Sequence, residues 1–221
     1  MIDLRCYAIT SGSGADAVTA AAAAAAAGAG VVQVRAKSLT SRELLAFTLA
    51  VAEAVEQARP ATRVLVDDRV DIALAAMRRG APVHGVHLGA DDLPVRDARG
   101  LLGGQAIIGF TTGSLDLVRR AARDADAIDY LGAGPFRPTP TKDSGRDPLG
   151  LAGYPPLVAA SALPIVAIGD VQPDDVSGLA GTGIAGVAMV RAVMSAPDPG
   201  AVVRRVLADF DRGRRDSLAL S

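Results

Sequence analysis

The chain is poor in aromatic residues, which make up only 3% of its 221 positions. Half of the residues are hydrophobic, so valine, alanine, leucine and isoleucine have to fill the interior. Cys6 is the single cysteine, which rules out an internal disulfide, and its apolar neighbours predict a small buried side chain. With no disulfide framework, we expect a reducing, cytoplasmic location.

Neither sign of charge predominates, since 24 acidic residues face 23 basic ones and the net charge is −1. A nucleic-acid-binding surface would show a basic excess, so we expect no nucleic-acid partner. The N-terminus has no basic segment followed by an apolar core and therefore predicts no secretory signal. The alanine run at 20–27 is too short and too weakly apolar to cross a membrane, so we expect no membrane partner.

Short β-rich runs alternate with helical patterns eight times. The runs are largely continuous in apolar residues, which is typical of parallel strands buried on both faces. The predicted strands span 5–10, 31–36, 63–67, 85–88, 106–111, 130–134, 164–168 and 186–190.

Several predicted helices have recognisable ends. Thr40 and Glu43 form a capping box that opens a helix to about residue 59, and Pro60 stops it. Ser114 is a second predicted cap. Asp198 followed by proline opens a last helix that we expect to end near Phe210.

Eight β-then-α units predict a single (β/α)8 TIM barrel over residues 1–211. The polar segment 212–221 is expected to be a frayed tail. The main alternative is an open doubly wound sheet, but the Gly/Ser-rich turn at 11–14 lacks the G-x-G-x-x-G fingerprint. In a barrel the active groups lie at the carboxyl ends of the strands, and polar residues follow seven of the eight predicted strands.

Asp68 and Asp92 follow neighbouring strands, where two carboxylates facing one cavity would suit Mg²⁺. Helix capping is the alternative for each of them. Gln33, Arg35 and Lys37 have period-2 spacing and therefore share one face of a strand and its exit. Facing inward at the mouth they can hold an anion, although Lys37 could simply extend into water.

The segment 134–142 leaves strand six as a proline-stiffened loop, and the strand should stop near Gly134. Thr139 and Thr141 can donate hydrogen bonds there, and Lys142 adds a positive charge. A solvated loop is the alternative interpretation. Gly169 can offer its main-chain N–H at the usual phosphate site of this architecture, beside Asp170 and Arg191.

The chain has two histidines, His84 and His87. His87 lies within a predicted strand, and neither a second histidine nor a cysteine stands at ligand spacing, so a hydrogen-bonded core histidine is favoured. No serine–histidine or cysteine–histidine nucleophile system is evident.

Five stretches together make the chain similar to thiamin phosphate synthases along its whole length. They span 33–37, 66–73, 85–92, 134–142 and 166–169. The resemblance implies an (α/β)8 barrel that joins hydroxymethylpyrimidine diphosphate to a thiazole phosphate, with Mg²⁺, and releases pyrophosphate. The partners would thus be these two small molecules; the oligomeric state, including a homo-oligomer, stays open.

The resemblance also implies roles for individual residues. Asp68 and Asp92 would hold the metal. Lys142 and Arg35 would be catalytic, because they would stabilise the negative charge on the leaving pyrophosphate. Substrates would be bound by Gln33, Val34, Arg35, Ala36, Lys37, Asp67, Thr111, Thr139, Pro140, Thr141, Lys142, Gly169, Val190 and Arg191.

Four positions depart from the family pattern. Asp67 replaces the usual asparagine, Ala90 a glutamine, Gly113 a histidine and Asp170 a glycine. Two other functions therefore stay open. One is an isomerase of the thiazole tautomerase type, against which the two aspartates and Lys142 count. The other is a barrel that binds a thiazole or pyrimidine phosphate without catalysis.

Overall fold

The computed structural model describes residues 2–138 and 147–219. Within those residues eight parallel strands pair in sequence order, and β8 pairs with β1 to close a barrel. The strands are β1 Cys6–Ile9, β2 Val31–Val34, β3 Arg63–Asp67, β4 Gly85–Leu88, β5 Ile107–Thr112, β6 Tyr130–Ala133, β7 Ile165–Ala167 and β8 Gly186–Met189. The predicted TIM barrel is confirmed, and the open doubly wound sheet is excluded.

Helices follow the strands along the described chain. They are α1 Ala15–Ala26, α2 Ser41–Ala58, α3 Val70–Arg78, α4 Val95–Leu102, α5 Leu115–Ala121, α6 Tyr154–Ala159, α7 Val176–Gly181, α8 Arg191–Met194 and α9 Pro199–Ala219. Single 3₁₀ turns span Ala122–Asp124, Leu151–Gly153 and Pro173–Asp175. None of the described helices combines the length and the apolar character needed to span a bilayer.

The strands bury both of their faces, as continuous apolar runs predict. On β1, Cys6 and Ala8 belong to the outer core between the sheet and the helices. Tyr7 and Ile9 belong instead to an inner core that fills the barrel. This alternation assigns every polar residue on a strand either to the helix layer or to the barrel interior and its mouth.

The predicted helix starts are confirmed. Thr40 and Glu43 form a reciprocal capping box at the start of α2. The Ser114 side chain accepts the N–H of Leu117 at 3.2 Å. Asp198 Oδ1 accepts the N–H of Ala201 at 2.8 Å. Each of these bonds satisfies a main-chain donor that the helix itself leaves unpaired.

The predicted end of the last helix near Phe210 is wrong, because α9 continues to Ala219. The added turns pack on α7: Gly213 is buried so close to Ser177 that a Cβ would lie 2.1 Å from its carbonyl oxygen. The Ser217 hydroxyl donates to the Gly181 carbonyl at 3.2 Å. The polar composition of 212–219 therefore reflects the exposed side of a docked helix rather than a frayed tail.

Candidate active site

A cavity opens at the carboxyl ends of the strands, where the barrel architecture predicts it. Every strand or the loop after it contributes to the described part of its wall. The lining residues are Ile9, Gln33, Arg35, Lys37, Asp67, Asp68, His87, Thr111, Thr112, Gly134, Pro135, Ile168, Gly169, Asp170, Val171, Gln172, Ala188, Val190, Arg191 and Ala192. The inward face predicted for Gln33, Arg35 and Lys37 is thereby confirmed.

Two carboxylates, Asp68 and Asp92, lie side by side after β3 and β4. Lys37 Nζ lies 2.8 Å from Asp68 Oδ2, so the lysine is paired at the mouth rather than extended into water. Partial burial, together with the neighbouring Asp68 carboxylate, raises the pKa of Asp92. Two acids that repel each other in this way favour a cation beside them.

Neither aspartate caps a helix. The N-cap residues of α3 and α4 are Arg69 and Pro94. Asp92 Oδ2 instead accepts the N–H of Gly89 at 2.7 Å within its own loop. The helix-capping alternative for Asp68 and Asp92 is therefore wrong.

The main chain at Asp68 is strained. The N–H of Arg69 donates to the Asp67 carbonyl at 2.7 Å and closes a three-residue turn around Asp68, whose φ is 61°. Such left-handed geometry costs a non-glycine residue about 1 kcal/mol or more. The N–H of Asp68 donates to the His87 carbonyl at 2.9 Å, which ties the turn to β4. The bond to β4 holds this turn at the cavity wall, with the Asp68 carboxylate beside Asp92 and Lys37.

Arg35 and Asp67 form a second pair in the cavity wall. Arg35 Nε lies 3.3 Å from Asp67 Oδ2, and only 11% of the Asp67 side chain is exposed. Burial raises the pKa of Asp67 to about 7; Asp68 adds to the rise, while Arg35 and Lys37 oppose it. Asp67 is thus a carboxyl group whose charge at neutral pH depends on its neighbours.

The loops after β7 and β8 meet through Asp170 and Arg191. Arg191 Nη2 donates to Asp170 Oδ1 at 2.7 Å, and Gln172 Nε2 donates to the same oxygen at 3.2 Å. Asp170 has a φ of 54°, a conformation that glycine adopts freely and that aspartate tolerates better than most residues. The Asp170 carboxylate therefore forms an ion pair with the Arg191 guanidinium at the predicted phosphate site.

The loop after β6 is clamped at both ends. The N–H of Phe136 donates to the Ile168 carbonyl at 2.8 Å, and that of Gly150 donates back to the Phe136 carbonyl at 3.0 Å. The Arg137 guanidinium binds both oxygens of Asp175 at 2.7 and 2.8 Å. The described residues on either side of segment 139–146 are therefore hydrogen-bonded to each other and to the loop after β7. The predicted site residues of this segment fall outside the described residues; they are Thr139, Pro140, Thr141 and Lys142.

Comparison with known proteins agrees with this geometry. A family model described as thiamine monophosphate synthase matches residues 6–193. The chain belongs to the thiamine monophosphate synthase family. It is 59% identical over 214 residues to the thiamine-phosphate synthase of Corynebacterium efficiens, covering 96% of this chain and 98% of that one. The thiamine-phosphate synthase of Corynebacterium jeikeium is 59% identical over 209 residues, 95% of each chain.

A solved structure of thiamine phosphate pyrophosphorylase from Pyrococcus furiosus superposes with a TM-score of 0.83. Its sequence identity is 29%, and the match covers 96% of this chain and 98% of that one. The similarity to the synthase family thus extends over the whole barrel in sequence and in structure.

The described residues of this synthase-family chain do not supply a full set of protein ligands for a metal ion. Among residues 2–138 and 147–219, no cluster of three or more His, Cys, Asp or Glu side chains could enclose one. The Asp68–Asp92 pair nevertheless fits Mg²⁺, which commonly binds one or two carboxylates and takes its other ligands from water and phosphate oxygens.

Two residues predicted to bind substrate in this synthase-family chain do not present their side chains to the cavity. Val34 is wholly buried in the outer core, and Ala36 packs against that core. Any contact of these residues with a substrate would come from the main chain. The roles of Gln33, Thr111, Gly169, Val190 and Arg191 stay predictions, but all five line the cavity.

His87 is hydrogen-bonded as predicted, but the prediction of a core position is wrong, because its side chain is only partly buried and lines the cavity. Its Nδ1 lies 2.9 Å from the Tyr130 hydroxyl, and its Nε2 lies 2.9 Å from Thr111 Oγ1. Sequence reasoning missed Tyr130 and Tyr7, which continue this contact inside the barrel. The available signal was their position: each occupies an inward-facing strand site in a chain with three tyrosines.

Proposed function

We propose that this chain is a cytoplasmic thiamin phosphate synthase. The reaction would transfer the hydroxymethylpyrimidine group from its diphosphate to a thiazole phosphate, with Mg²⁺, and release pyrophosphate. One observation carries the proposal: Arg35, Lys37 and Asp68 line one cavity at the barrel mouth, and the Asp92 carboxylate lies beside Asp68. The near-full-length relatives named thiamine-phosphate synthase support the same activity.

Asp68 and Asp92 would hold the magnesium ion. Their mutual repulsion is relieved by a cation, and Lys37 already supplies part of the compensation at 2.8 Å from Asp68. When bound, Mg²⁺ would supply Lewis-acid stabilisation of the negative charge that grows on the leaving pyrophosphate.

Arg35 and Lys37 would bind the diphosphate. Both follow β2 on the face that lines the cavity, and Arg35 is held by its main chain. Its N–H donates to Thr10 Oγ1 at 2.9 Å, and its carbonyl accepts the Thr10 hydroxyl at 3.2 Å. Its guanidinium lies 3.3 Å from Asp67 Oδ2. A cation held in place before the reaction stabilises developing charge without reorganising as the reaction proceeds.

The chemistry needs no attacking side chain. The carbon–oxygen bond to pyrophosphate breaks, and the electron pair leaves with the pyrophosphate. The electron-rich pyrimidine stabilises the resulting primary cation, and the thiazole nitrogen forms the new carbon–nitrogen bond. Lys142 would pair with the departing anion, while Gly169, Val190 and Arg191 would hold the thiazole phosphate. Holding both reactants together contributes through proximity.

The deciding experiment measures pyrophosphate release with both substrates, in Mg²⁺ and in EDTA. Magnesium-dependent release that requires both substrates is the expected result. Metal-independent isomerisation of the thiazole phosphate would instead identify a tautomerase. Substrate binding without turnover would identify a binding barrel, which the Asp170–Arg191 ion pair at 2.7 Å in the phosphate site would suit.

A further inference from the structure

A chain of five polar side chains crosses the barrel interior beneath the cavity. Gln33 Nε2 donates to the Tyr7 hydroxyl at 3.0 Å, and the Tyr7 and Tyr130 hydroxyls lie 2.7 Å apart. Tyr130 contacts His87 Nδ1 at 2.9 Å, and His87 Nε2 contacts Thr111 Oγ1 at 2.9 Å. The chain thus joins β2 to β5 through strands β1, β6 and β4, and both of its ends line the cavity.

The direction of these bonds follows from the donor at one end. The Gln33 amide nitrogen can only donate, so the Tyr7 oxygen accepts. Directing the single Tyr7 proton to the Tyr130 oxygen then gives this buried donor a partner. Tyr130 then directs its own proton to His87 Nδ1. An imidazole that accepts at Nδ1 carries its proton on Nε2 and donates to Thr111 Oγ1. The Thr111 proton is left to point away from His87.

We propose that this chain is a one-way hydrogen-bond relay that holds His87 as the Nε2–H tautomer and makes the Thr111 hydroxyl a donor towards the cavity. Tyr130 is then a positioning residue that acts on the ligand through His87 and Thr111. The chemical class that such a donor serves is an anionic oxygen. That it meets the leaving pyrophosphate rests on the proposed function.

Two glycines beside the relay leave room for its side chains. A Cβ on Gly109 would lie 2.3 Å from the Tyr130 hydroxyl and 2.5 Å from His87 Nδ1. A Cβ on Gly132 would lie 3.0 Å from His87 Cε1. Any larger residue at Gly109 would therefore break the central bond of the chain. Burial also raises the pKa of both tyrosines far above the usual value, which keeps them protonated as the relay requires.

Histidine nitrogen NMR of the ligand-free protein tests the direction at pH 8, above the ordinary pKa of histidine. Only two histidines contribute, and His84→Gln assigns them. His84 is an internal reference, because its Nδ1 accepts the N–H of Val64 at 3.1 Å and its proton must therefore lie on Nε2. The expected spectrum shows His87 protonated on Nε2 as well. A proton on His87 Nδ1 would overturn the proposal.

Three single Tyr→Phe variants, one at each tyrosine, sharpen the test. Tyr130→Phe should remove the single-tautomer signature of His87. Tyr7→Phe should leave it in place, because Tyr130 still donates to His87. Tyr154→Phe is the matched control: its buried hydroxyl donates to the Ala133 carbonyl at 3.1 Å and lies outside the relay. Unchanged His87 signals in folded Tyr130→Phe would contradict the relay.

Kinetics test the link to the ligand. Loss of one oriented neutral hydrogen bond should lower kcat by about 5-fold in Tyr130→Phe. If Tyr130 acts through Thr111, adding Tyr130→Phe to Thr111→Val should cause no further loss. Independent, multiplicative losses would refute that link. A wild-type protein without synthase activity would refute the proposed function instead, while the NMR experiment would still decide the relay.

Discussion

Replacing Asp67 with asparagine should make the protein more stable at alkaline pH. Asparagine has the same shape but cannot ionise, and it is the residue that the family resemblance predicts here. In the metal-free protein, burial raises the pKa of Asp67 from 3.8 to about 7. The stability that Asp67 contributes is therefore fully present below pH 3.8 and is lost as the pH rises through 7.

The size of this effect follows from the pKa difference. Each pKa unit corresponds to about 1.36 kcal/mol, so above pH 7 the buried carboxylate costs up to about 4 kcal/mol. Part of that cost is already present at pH 5. The stability gain of Asp67→Asn over wild type should therefore be about 3 kcal/mol larger at pH 8.5 than at pH 5. Other titrating groups are common to both proteins and largely cancel in the difference.

Urea unfolding in EDTA at several pH values between 5 and 8.5 measures this difference. Asp71→Asn is a suitable control, because Asp71 is 63% exposed and the Arg69 guanidinium lowers its pKa. That variant should show no alkaline gain. A flat difference curve for Asp67→Asn, or lower stability than wild type at pH 8.5, would refute the reasoning. Excess Mg²⁺ should reduce the stability gain of Asp67→Asn over wild type, since a nearby cation favours the ionised Asp67.

Three further predictions concern catalysis. Lys142→Ala should lower kcat by about 10²-fold or more, the scale of losing one transition-state charge partner, and normal steady-state pyrophosphate release would exclude that role. Asp92→Asn should raise the Mg²⁺ concentration for half-maximal activity by at least about 10-fold; an unchanged magnesium titration would remove Asp92 from the metal site. Asp170→Gly should lower KM for the thiazole phosphate by up to about 5-fold, because it frees Arg191 from an exposed ion pair, whereas a higher KM would show that Asp170 helps to bind the substrate.

The strand pattern was readable from the sequence because parallel strands buried on two faces need unbroken apolar runs. All eight predicted strands are present in the described structure, with ends shifted by no more than two residues. The predicted end of α9 was wrong for a tertiary reason. Gly213 and Ser217 look like ordinary tail residues until α7 lies against them.

The sequence predicted which residues lie at the mouth of the barrel, but not which of them form ion pairs with each other. Strand ends placed Arg35, Lys37, Asp67 and Asp68 in one cavity, and that set follows from topology. The choice of Lys37 for Asp68 and of Arg35 for Asp67 depends on distances of a few ångströms between loops. The raised pKa of Asp67 likewise depends on burial, which cannot be read from the residue type alone.

By itself, the sequence determined the barrel, the end of it that carries the chemistry and the family to which the chain belongs. Local patterns suffice for these because apolar periodicity and helix caps are properties of neighbouring residues. Only the tertiary structure decided that Asp170 forms an ion pair with Arg191 and that Tyr7, Tyr130 and His87 link Gln33 to Thr111. Those contacts join residues far apart in the chain, and their energies depend on direction and burial that exist only once the barrel has closed.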